Sequence, residues 1–574
     1  MLQTLWTPRG EILRDHPETT PWTEYPRPQM KRDSYLNLNG SWDFAVSDRE
    51  MLPDHYEKTI RVPFCPESQL SGVEVHFSEG AYLFYHWKLA LPEGFVKGRV
   101  LLHIGAADQI ADVFVNGQAV CHHEGGYDAF SCDITDALQE ENEITVRCRD
   151  DLDNHSFPYG KQVKERGGMW YTPVSGIWQT VWLESVPETY VKALNIENRG
   201  TSVTIDTGDE TMTGTVTVAD LGSFPLEGGK VTIHPENPHF WSPEDPYLYE
   251  FTLEAGEDKI ESYFAIRTLE IRNAAGYPRL FLNGKPYFFH ALLDQGYWPE
   301  GLLTAPAPES YADDILAMKK LGFNTLRKHI KVEPEEFYYQ CDKLGMIVWQ
   351  DMVNNGDYNF KRDTGLPTIG IQTLPDKWLH KDQLGRSRFL MSMIKTVMQL
   401  RNHPSICYWT IFNEGWGQFD SDYVYEEFKK LDDTRFIDST SGWFRRKKTD
   451  VDSRHQYFGK FRLEGDGKKP LILSEFGGKA YGEPGHVFNP DKVYGYGSTC
   501  TSLKELDIAV SNLYWNELMP CVKKGVCASI YTQVSDVEDE INGLLTYDRK
   551  LEKLSPETML PIAEALQKAN IREA

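Results

Sequence analysis

The sequence predicts a multidomain protein with an N-terminal β jelly roll, an immunoglobulin-like β-sandwich and a C-terminal (β/α)8, or TIM, barrel. Three observations predict this fold class. Alternating strand-like segments fill the first part of the chain, shorter strands with frequent turns follow, and strand and helix patterns alternate from about residue 273 onward. The chain length suggests about three or four domains, which we place at 1–187, 188–272 and 273–574.

The first two predicted domains are both rich in strands. In the first, β-branched and aromatic residues often alternate with polar ones, and turn signals such as Asn116-Gly117 separate the strands, as in an antiparallel jelly roll. Its strand-like segments are 34–47, 81–92, 98–120 and 176–187. Residues 188–272 have shorter strands with Gly, Pro and Asp turns and no Cys–Trp–Cys signature, which predicts an immunoglobulin-like sandwich.

The third predicted domain alternates strands with helices. Helical patterns such as residues 308–322 and 423–433 lie between apolar strands, and eight strands in this arrangement are typical of a (β/α)8 barrel. The predicted strands are Tyr287–Asp294, Phe323–His329, Met346–Met352, Ile406–Glu414, Phe436–Ser441, Ser453–Phe458, Leu471–Phe476 and Cys527–Ser535.

Composition excludes several classes of function. A net charge of −25 argues against nucleic-acid binding and against an anionic membrane surface. No stretch has the ~18 apolar residues of a membrane span, and the first residues lack a signal-peptide core. Nine scattered cysteines without a CxxC pair favour reduced thiols and a cytoplasmic location. The adjacent His122 and His123 lack the spacing of convergent ligands, which argues against a metal site there. We expect no metal and no cofactor.

Polar side chains end most of the predicted barrel strands, where the active-site face of this fold lies. They are Asp294, Arg327, His329, Asp351, Asn413, Glu414, Ser441, Tyr457, Glu475 and Gln533. A ring of such residues, each ending an apolar strand, predicts a polar pocket over a dry barrel core.

Two of these residues are glutamates on opposite strands. Glu414, in the stretch WTIFNEGW, follows the fourth strand, and Glu475 follows the seventh. Cleavage of a glycosidic bond needs paired carboxylates. Asn413 offers an amide to a sugar hydroxyl, and Trp416 and Trp443 offer apolar faces to a pyranose ring. The pair therefore predicts a glycosidase.

The chain resembles the glycoside hydrolases of family 2, which include β-galactosidases and β-glucuronidases. The resemblance covers essentially the whole chain, including the order of the domains. It is carried by "DVFVNGQAV" and "SGIWQTVWLE" in the first domain. In the barrel it is carried by "DQGYWPEGLLTAP", "LGFNTLRKHIKVEP", "KLGMIVWQDM", "RNHPSICYWTIFNEGW", "LILSEFGG" and "SDVEDEINGLLTYDR".

The resemblance implies a retaining mechanism on a small glycoside or oligosaccharide. It makes Glu414 the acid/base, Glu475 the nucleophile and Tyr457 a hydrogen-bond donor to that nucleophile. The two carboxyl groups are then expected about 5–5.5 Å apart. Family members are often dimers or tetramers, so we also expect a homo-oligomer.

Three positions depart from the family pattern. Many members have a histidine three residues after the arginine of the second strand, whereas here His329 follows Arg327 by two residues and Ile330 takes that place. Many have a tryptophan at the end of the eighth strand, where this chain has Tyr531 and Gln533. The Asn-x-Lys pair of the glucuronidases is replaced by Asn542-Gly543-Leu544, which counts against an ordinary β-glucuronidase.

The sequence is compatible with more than one sugar in the substrate. Basic residues at 326–331, 359–363 and 443–448 crowd the expected pocket face, and an arginine fork such as Arg327 or Arg445 suits a carboxylate. As candidate substrates, a hexuronide (galacturonide before glucuronide) and a galactoside are favoured almost equally, and both are favoured over a mannoside or arabinoside. The alternative from another class is a catalytically inactive carbohydrate-binding or scaffold protein.

Two loops are expected to shape the pocket. The long loop 354–378 after the third strand is more typical of a pocket wall than of an open cleft, which favours exo over internal cleavage. In the family the first domain more often braces the barrel. In this chain its loop 166–176 is expected to close one side of the pocket, so Trp170 and Tyr171 are expected to pack against the barrel or to touch substrate.

Overall fold

The computed structural model describes residues 2–151, 154–497 and 499–571. The first β-region contains a six-stranded and a four-stranded antiparallel sheet, with a two-stranded ribbon beside them. In sheet order the six strands are Lys58–Val62, Gly40–Ser47, Tyr82–Leu89, Asn142–Arg149, Ile110–Val115 and Gln118–Glu124. The four are Tyr35–Asn37, Val181–Val186, Arg99–Ile104 and Phe130–Asp133, and the ribbon is Ala107–Asp108 with Gly176–Ile177.

The second β-region is a sandwich of a three-stranded and a four-stranded sheet. The three strands are Asn195–Arg199, Ser202–Asp206 and Lys230–Ile233; the four are Gly222–Leu226, Gly214–Val218, Tyr249–Ala255 and Asp258–Phe264. A small sheet of Leu269–Ala274, Tyr277–Leu282 and Lys285–Pro286 leads into the barrel. Both β-regions form as predicted, because alternating apolar residues give each sheet one buried face.

Eight parallel strands form the barrel, and we number them along the chain. They are β1 (Phe289–Asp294), β2 (Thr325–Lys328), β3 (Ile347–Asp351), β4 (Ile406–Asn413), β5 (Phe436–Ser441), β6 (Asp452–Gln456), β7 (Leu471–Gly477) and β8 (Val526–Thr532). Their order is β5-β4-β3-β2-β1-β8-β7-β6. Between the end strands β5 and β6, the Oγ atoms of Ser441 and Ser453 lie 3.3 Å apart. The predicted barrel is confirmed, with each strand within a few residues of its expected bounds.

Helices follow six of the eight barrel strands within the described residues. The α-helices of the chain are Pro8–Asp15, Glu309–Lys320, Glu335–Leu344, Leu366–Thr368, Gln383–Leu400, Ser421–Leu431, Leu503–Asn512, Met519–Val522 and Pro556–Ile571. Short 3-10 or π turns are Gln69–Ser71, Thr135–Ala137, Lys361–Gly365, Asp376–Trp378 and Leu513–Leu518. The connections 442–451 and 457–470 are irregular instead, because they are rich in charged residues and contain glycines and a proline that disfavour helix. None of the described helices is long and apolar enough to cross a membrane.

Aromatic residues fill the barrel below the polar strand ends. Trp349 on β3 and Tyr408 on β4 are buried and stack with ring centroids 3.8 Å apart. The N-terminal segment also packs on the barrel, where the indole of Trp22 donates to the Ala305 carbonyl oxygen at 2.9 Å. The polar strand ends are therefore built on a rigid apolar base.

Candidate active site

Glu414 lies where β4 ends and the chain turns sharply. Its φ of 55° and that of Gly415, 76°, are both in the left-handed region. A Cβ on Gly415 would lie 2.0 Å from a ring carbon of Phe444, so only glycine fits there. The backbone N–H of Glu414 donates to the Ser441 carbonyl oxygen at 3.0 Å, which ties the turn to β5. This turn lifts the carboxylate from the strand to the rim of the barrel.

Glu475 lies near the end of β7, across the barrel from Glu414. One carboxylate oxygen of Glu414, one of Glu475 and an imidazole nitrogen of His455 lie within 4.8 Å of one another. The fold thus brings the two predicted acids to a single point on the carboxyl-terminal face.

Three side chains surround the Glu475 carboxylate. Arg327 Nη1 donates to its Oε1 at 3.1 Å, and the Tyr457 hydroxyl donates to its Oε2 at 2.7 Å. His455 Nδ1 lies 3.4 Å from the same Oε2. Burial is the largest single influence and raises the pKa of Glu475, but His455, Arg327, His329 and Tyr457 together lower it, and the net pKa falls below its ordinary value. Glu475 is therefore held as a carboxylate.

Glu414 has the opposite electrostatic setting. Burial is the largest influence and raises its pKa, and the charge of Glu475 raises it further. The hydrogen bond with His455, whose Nδ1 lies 2.8 Å from Oε1, lowers it only in part. The indole of Trp443 donates to the backbone oxygen of Glu414 at 2.9 Å, so it fixes the position of this residue. The raised pKa favours a protonated acid.

Arg327 connects four of the predicted site residues under the pocket. It is fully buried, and its Nε lies 2.9 Å from Asp351 Oδ1 while its Nη2 donates to Asn413 Oδ1 at 2.9 Å. Asp351 Oδ2 also lies 2.7 Å from His329 Nδ1. Burial lowers the pKa of His329 to about 4, against the opposing effect of Asp351. A neutral His329 and a fully paired Arg327 therefore support Glu475 from below.

Two other predicted site residues, Arg445 and Asp294, form ion pairs away from the two glutamates. Arg445 Nη1 lies 2.8 Å from Asp452 Oδ1, at the start of β6 and not at its carboxyl end. Asp294 pairs at 2.8 Å with Lys328, which also contacts Glu333 at 2.8 Å. The structure brings Arg327, His329, Asp351, Asn413, Tyr457 and Trp443 around the two glutamates, whereas the recorded partners of Asp294 and Arg445 belong to separate ion pairs.

Aromatic residues from two domains form one wall of the site. Trp416 is buried, and its indole donates to the Gly356 carbonyl oxygen at 3.0 Å. Trp170 of the first domain packs edge-on against it with ring centroids 5.1 Å apart. Trp170 also lies 4.9 Å from Tyr358 in the long loop after β3. The neighbouring Tyr171 is fully buried, and its hydroxyl donates to Glu540 Oε2 at 2.5 Å. The loops 166–176 and 354–378 therefore meet beside Trp416.

Sequence reasoning missed His455, which contacts both glutamates. The signal was present, because His455 precedes the nominated Tyr457 by two residues and side chains two apart on a strand face the same side. It also missed Thr532, whose hydroxyl lies 3.0 Å from the Tyr457 hydroxyl. Only tertiary structure could reveal the second contact.

One set of side chains could reach a common metal ion in the described part of the chain. It consists of Glu414, His455 and Glu475, the same three groups that define the site. The adjacent His122 and His123 have separate partners. His122 Nδ1 lies 2.7 Å from Asp112 Oδ1, and His123 Nε2 lies 3.0 Å from the carbonyl oxygen of Gly125.

The chain has two β-sandwich regions followed by a barrel with two opposed carboxylates at its carboxyl-terminal face. This combination is typical of multidomain glycosidases. A model described as "Glycosyl hydrolases family 2, TIM barrel domain" matches residues 280–553. A second, "Glycosyl hydrolases family 2", matches residues 188–267. The chain belongs to glycosyl hydrolase family 2.

Relatives within this family are distant in sequence. A beta-galactosidase of Thermoanaerobacter pseudethanolicus is 24% identical over 443 residues, which cover 70% of this chain and 54% of that protein. A beta-glucuronidase of Bacteroides fragilis is 24% identical over 405 residues, which cover 66% of this chain and 56% of that protein. The chain therefore spans about half the length of these curated relatives.

Solved structures share the fold over nearly the whole chain. The beta-D-glucuronidase of Dictyoglomus thermophilum has a TM-score of 0.70 at 19% identity, covering 95% of this chain and 98% of that one. The beta-galacturonidase of Eisenbergiella tayi, solved with galacturonate, has a TM-score of 0.66 at 18% identity, covering 95% of this chain and 99% of that one. The three-part architecture is thus shared with proteins named for different sugars.

Proposed function

We propose that this protein is a retaining exo-β-glycosidase, which hydrolyses a terminal β-linked sugar through a covalent glycosyl-enzyme. One observation carries the proposal: two largely buried carboxylates approach each other across the barrel, and their surroundings shift their pKa values in opposite directions. Oxygen atoms within 4.8 Å suit the narrow spacing of a retaining pair better than the wider gap that admits a water molecule.

In the first step Glu475 attacks the anomeric carbon. Its lowered pKa keeps the carboxylate ionised, and Tyr457 and Arg327 hold it in place. As the new bond from Oε to the anomeric carbon forms, the bond from that carbon to the leaving oxygen breaks. Glu414 donates its proton to the leaving oxygen, so the aglycone departs as an alcohol.

In the second step a water molecule releases the sugar. Glu414, now ionised, takes a proton from the water, whose oxygen attacks the anomeric carbon as the ester bond to Glu475 breaks. Glu475 returns to a carboxylate and Glu414 to an acid, so both residues are restored. Two inversions at the anomeric carbon give a product with the original β configuration.

Substrate contacts are proposed for the groups that face the two acids. The Oδ1 of Asn413 accepts from Arg327, which leaves the Nδ2 hydrogens for a sugar hydroxyl. Trp443, held beside Glu414, offers an apolar ring face to the pyranose. We propose that Asp351 and His329 act by positioning Arg327 instead of by touching the sugar, because Asp351 accepts from Arg327 Nε at 2.9 Å and lies 2.7 Å from His329 Nδ1.

Exo action is supported by the loops around the site. Trp170 packs against both Trp416 and Tyr358, so the first domain and the long loop after β3 form a continuous wall. A walled pocket accommodates one terminal sugar, whereas internal cleavage of a polymer needs an open cleft. We propose a small glycoside or oligosaccharide as the substrate.

The test is turnover of p-nitrophenyl glycosides, in which the β-galacturonide, β-glucuronide, β-galactoside, β-mannoside, β-glucoside and α-arabinoside are compared. We expect release of p-nitrophenol from a hexuronide or the galactoside, and loss of that release in Glu475→Ala. Activity that survives in Glu475→Ala would refute the assignment of the nucleophile. No release from any glycoside would favour a catalytically inactive carbohydrate-binding protein instead.

A further inference from the structure

We infer that Lys161, a residue of the first domain, binds the carboxylate of the sugar and makes hexuronides the preferred substrates. The inference rests on the proposed glycosidase function and deepens it by naming the substrate class. It assigns the choice between hexuronide and galactoside to a side chain outside the barrel.

The segment around Lys161 is tied to the carboxyl-terminal face of the barrel. The backbone N–H of Gly160 donates to the Asn354 carbonyl oxygen at 3.3 Å, and the Tyr159 hydroxyl donates to the Gly356 carbonyl oxygen at 2.9 Å. A Cβ on Gly160 would lie 2.9 Å from the Ile330 carbonyl oxygen. Because these partners follow β3 and β2, the chain places Lys161 directly over the strand ends.

Lys161 is a buried cation without a carboxylate partner. The residue is only 8% exposed, and its Nζ lies 5.2 Å from the centroid of the Trp170 ring, on the aromatic wall of the site. Within the described residues no carboxylate oxygen lies within 4.0 Å of this Nζ. Burial of an unpaired charge is costly, and an incoming carboxylate would relieve that cost.

The other candidate cations near the site are already paired. Arg327 is bound to Asp351 and Glu475 at 2.9 and 3.1 Å. Lys331 contacts Glu333 at 2.9 Å, and Arg445 contacts Asp452 at 2.8 Å. Lys161 is therefore the best candidate to take a new anion in the pocket, because it need not give up an existing ion pair.

Electrostatics places the ammonium group within reach of the acids. Burial, the largest influence, raises the pKa of Glu414 and of Glu540, and the charge of Lys161 lowers both. Lys161 also lowers the pKa of His329, in addition to the larger effect of burial. These three residues follow different barrel strands, so the charge of the ammonium group acts on the carboxyl-terminal face of the barrel.

The experiment measures kcat/KM for p-nitrophenyl β-galacturonide, β-glucuronide and β-galactoside. The quantity compared between variants is kcat/KM for each uronide divided by kcat/KM for the galactoside. Wild-type protein, Lys161→Met, Lys161→Gln and Lys161→Arg are measured. Lys164→Met is the matched control, because Lys164 lies in the same loop, is exposed and pairs with Glu79 at 3.1 Å. We expect wild type to prefer a uronide and Lys161→Met to lower this ratio about 10²-fold, as for loss of a buried ion pair. Lys161→Arg should keep part of the preference, and Lys164→Met all of it.

Three results would overturn the inference. Wild-type turnover of the galactoside but of neither uronide would do so while leaving the glycosidase function intact. An equal loss on all substrates in Lys161→Met and Lys161→Gln would assign Lys161 a structural role only. If wild type cleaves no glycoside, the proposed function fails. Calorimetry with free galacturonate, glucuronate and galactose then tests whether the site prefers an acidic sugar. Equal binding of acidic and neutral sugars, or no binding of either, contradicts the inference.

Discussion

His455 Nδ1 lies 2.8 Å from Glu414 Oε1, so an imidazole from β6 contacts the proposed acid directly. The other nitrogen, Nε2, lies 3.2 Å from the Ser441 hydroxyl, which fixes the ring between β5 and β6. His455 also lowers the pKa of both proposed catalytic glutamates, although burial has a larger effect on each. We therefore predict that His455 positions Glu414 and tunes the pKa of both glutamates.

Replacing His455 should change the pH profile as well as the rate. In His455→Ala both glutamates lose an influence that lowers their pKa, so both limbs of the kcat/KM profile should move to higher pH. We expect kcat/KM at the optimum to fall by roughly 10²-fold, because the acid is no longer held in line. His455→Asn, which keeps a polar group near the Nδ1 position, should recover part of the loss. Unchanged limbs in His455→Ala would contradict this role.

Glu414→Gln should remove the alkaline limb of activity. In the proposed mechanism Glu414 is active when protonated, so wild-type activity should be lost as pH rises through its raised pKa, whereas the acidic limb should reflect protonation of Glu475. Glutamine cannot donate a proton, so kcat/KM on an alkyl glycoside should fall about 10²- to 10⁴-fold. A 2,4-dinitrophenyl glycoside, whose leaving group needs no proton, should lose far less in its first step. Equal losses on both substrates would argue against acid catalysis by Glu414.

Arg327→Met should weaken both stability and the nucleophile. It removes the partner of the buried Asp351 and leaves that charge with His329 alone, which we expect to cost about 3–5 kcal/mol in the free energy of unfolding. Glu475 also loses a cation that lowers its pKa, so the acidic limb should move to higher pH. Chemical denaturation and a kcat/KM profile measure the two effects. The double variant with Asp351→Asn is the control, since it removes the charge that Arg327→Met leaves unpaired. An acidic limb in Arg327→Met at the same pH as in wild type would contradict the account.

A buried acid far from the chemistry should make stability depend on pH. Glu300 is fully buried against Thr7, and burial raises its pKa to about 7 against an opposing hydrogen bond from Thr7. Its contribution to stability is full below its ordinary pKa of 4.5 and is lost as pH rises through about 7. Glu300→Gln, which cannot ionise, should therefore gain about 2.5 kcal/mol relative to wild type between pH 5 and pH 8.

Thermal unfolding of both proteins at pH 5 and pH 8 measures the difference. Glu57→Gln, a change at an exposed glutamate, is the control and should show no such dependence. A difference between Glu300→Gln and wild type that is the same at both pH values would contradict the raised pKa.

Much of the fold was predictable because its signals are local. Period-two patterns and turn residues predicted the β-regions, and eight apolar strands with polar ends predicted the barrel and both glutamates. The irregular connections around β6 were not predicted, because alternation along the chain suggested a helix after every strand. The boundaries of the three domains, the homo-oligomer and the cytoplasmic location remain predictions.

The partners of the site residues were not predictable from the sequence. Arg445 and Arg327 read alike as basic residues near a strand end, yet Arg445 contacts Asp452 at the start of β6 and Arg327 contacts Glu475. Lys161 lies more than a hundred residues before the first barrel strand, and only the packing of the first domain on the strand ends brings it to the site. Local pattern cannot encode such long-range contacts.

The most direct test of the central claim is the configuration of the sugar at the moment of its release. Proton NMR can follow hydrolysis of the best p-nitrophenyl β-glycoside before the anomers equilibrate. Double displacement through Glu475 predicts that the β anomer appears first and that the α anomer grows in only later. First appearance of the α anomer would show a single displacement by water and would contradict the account.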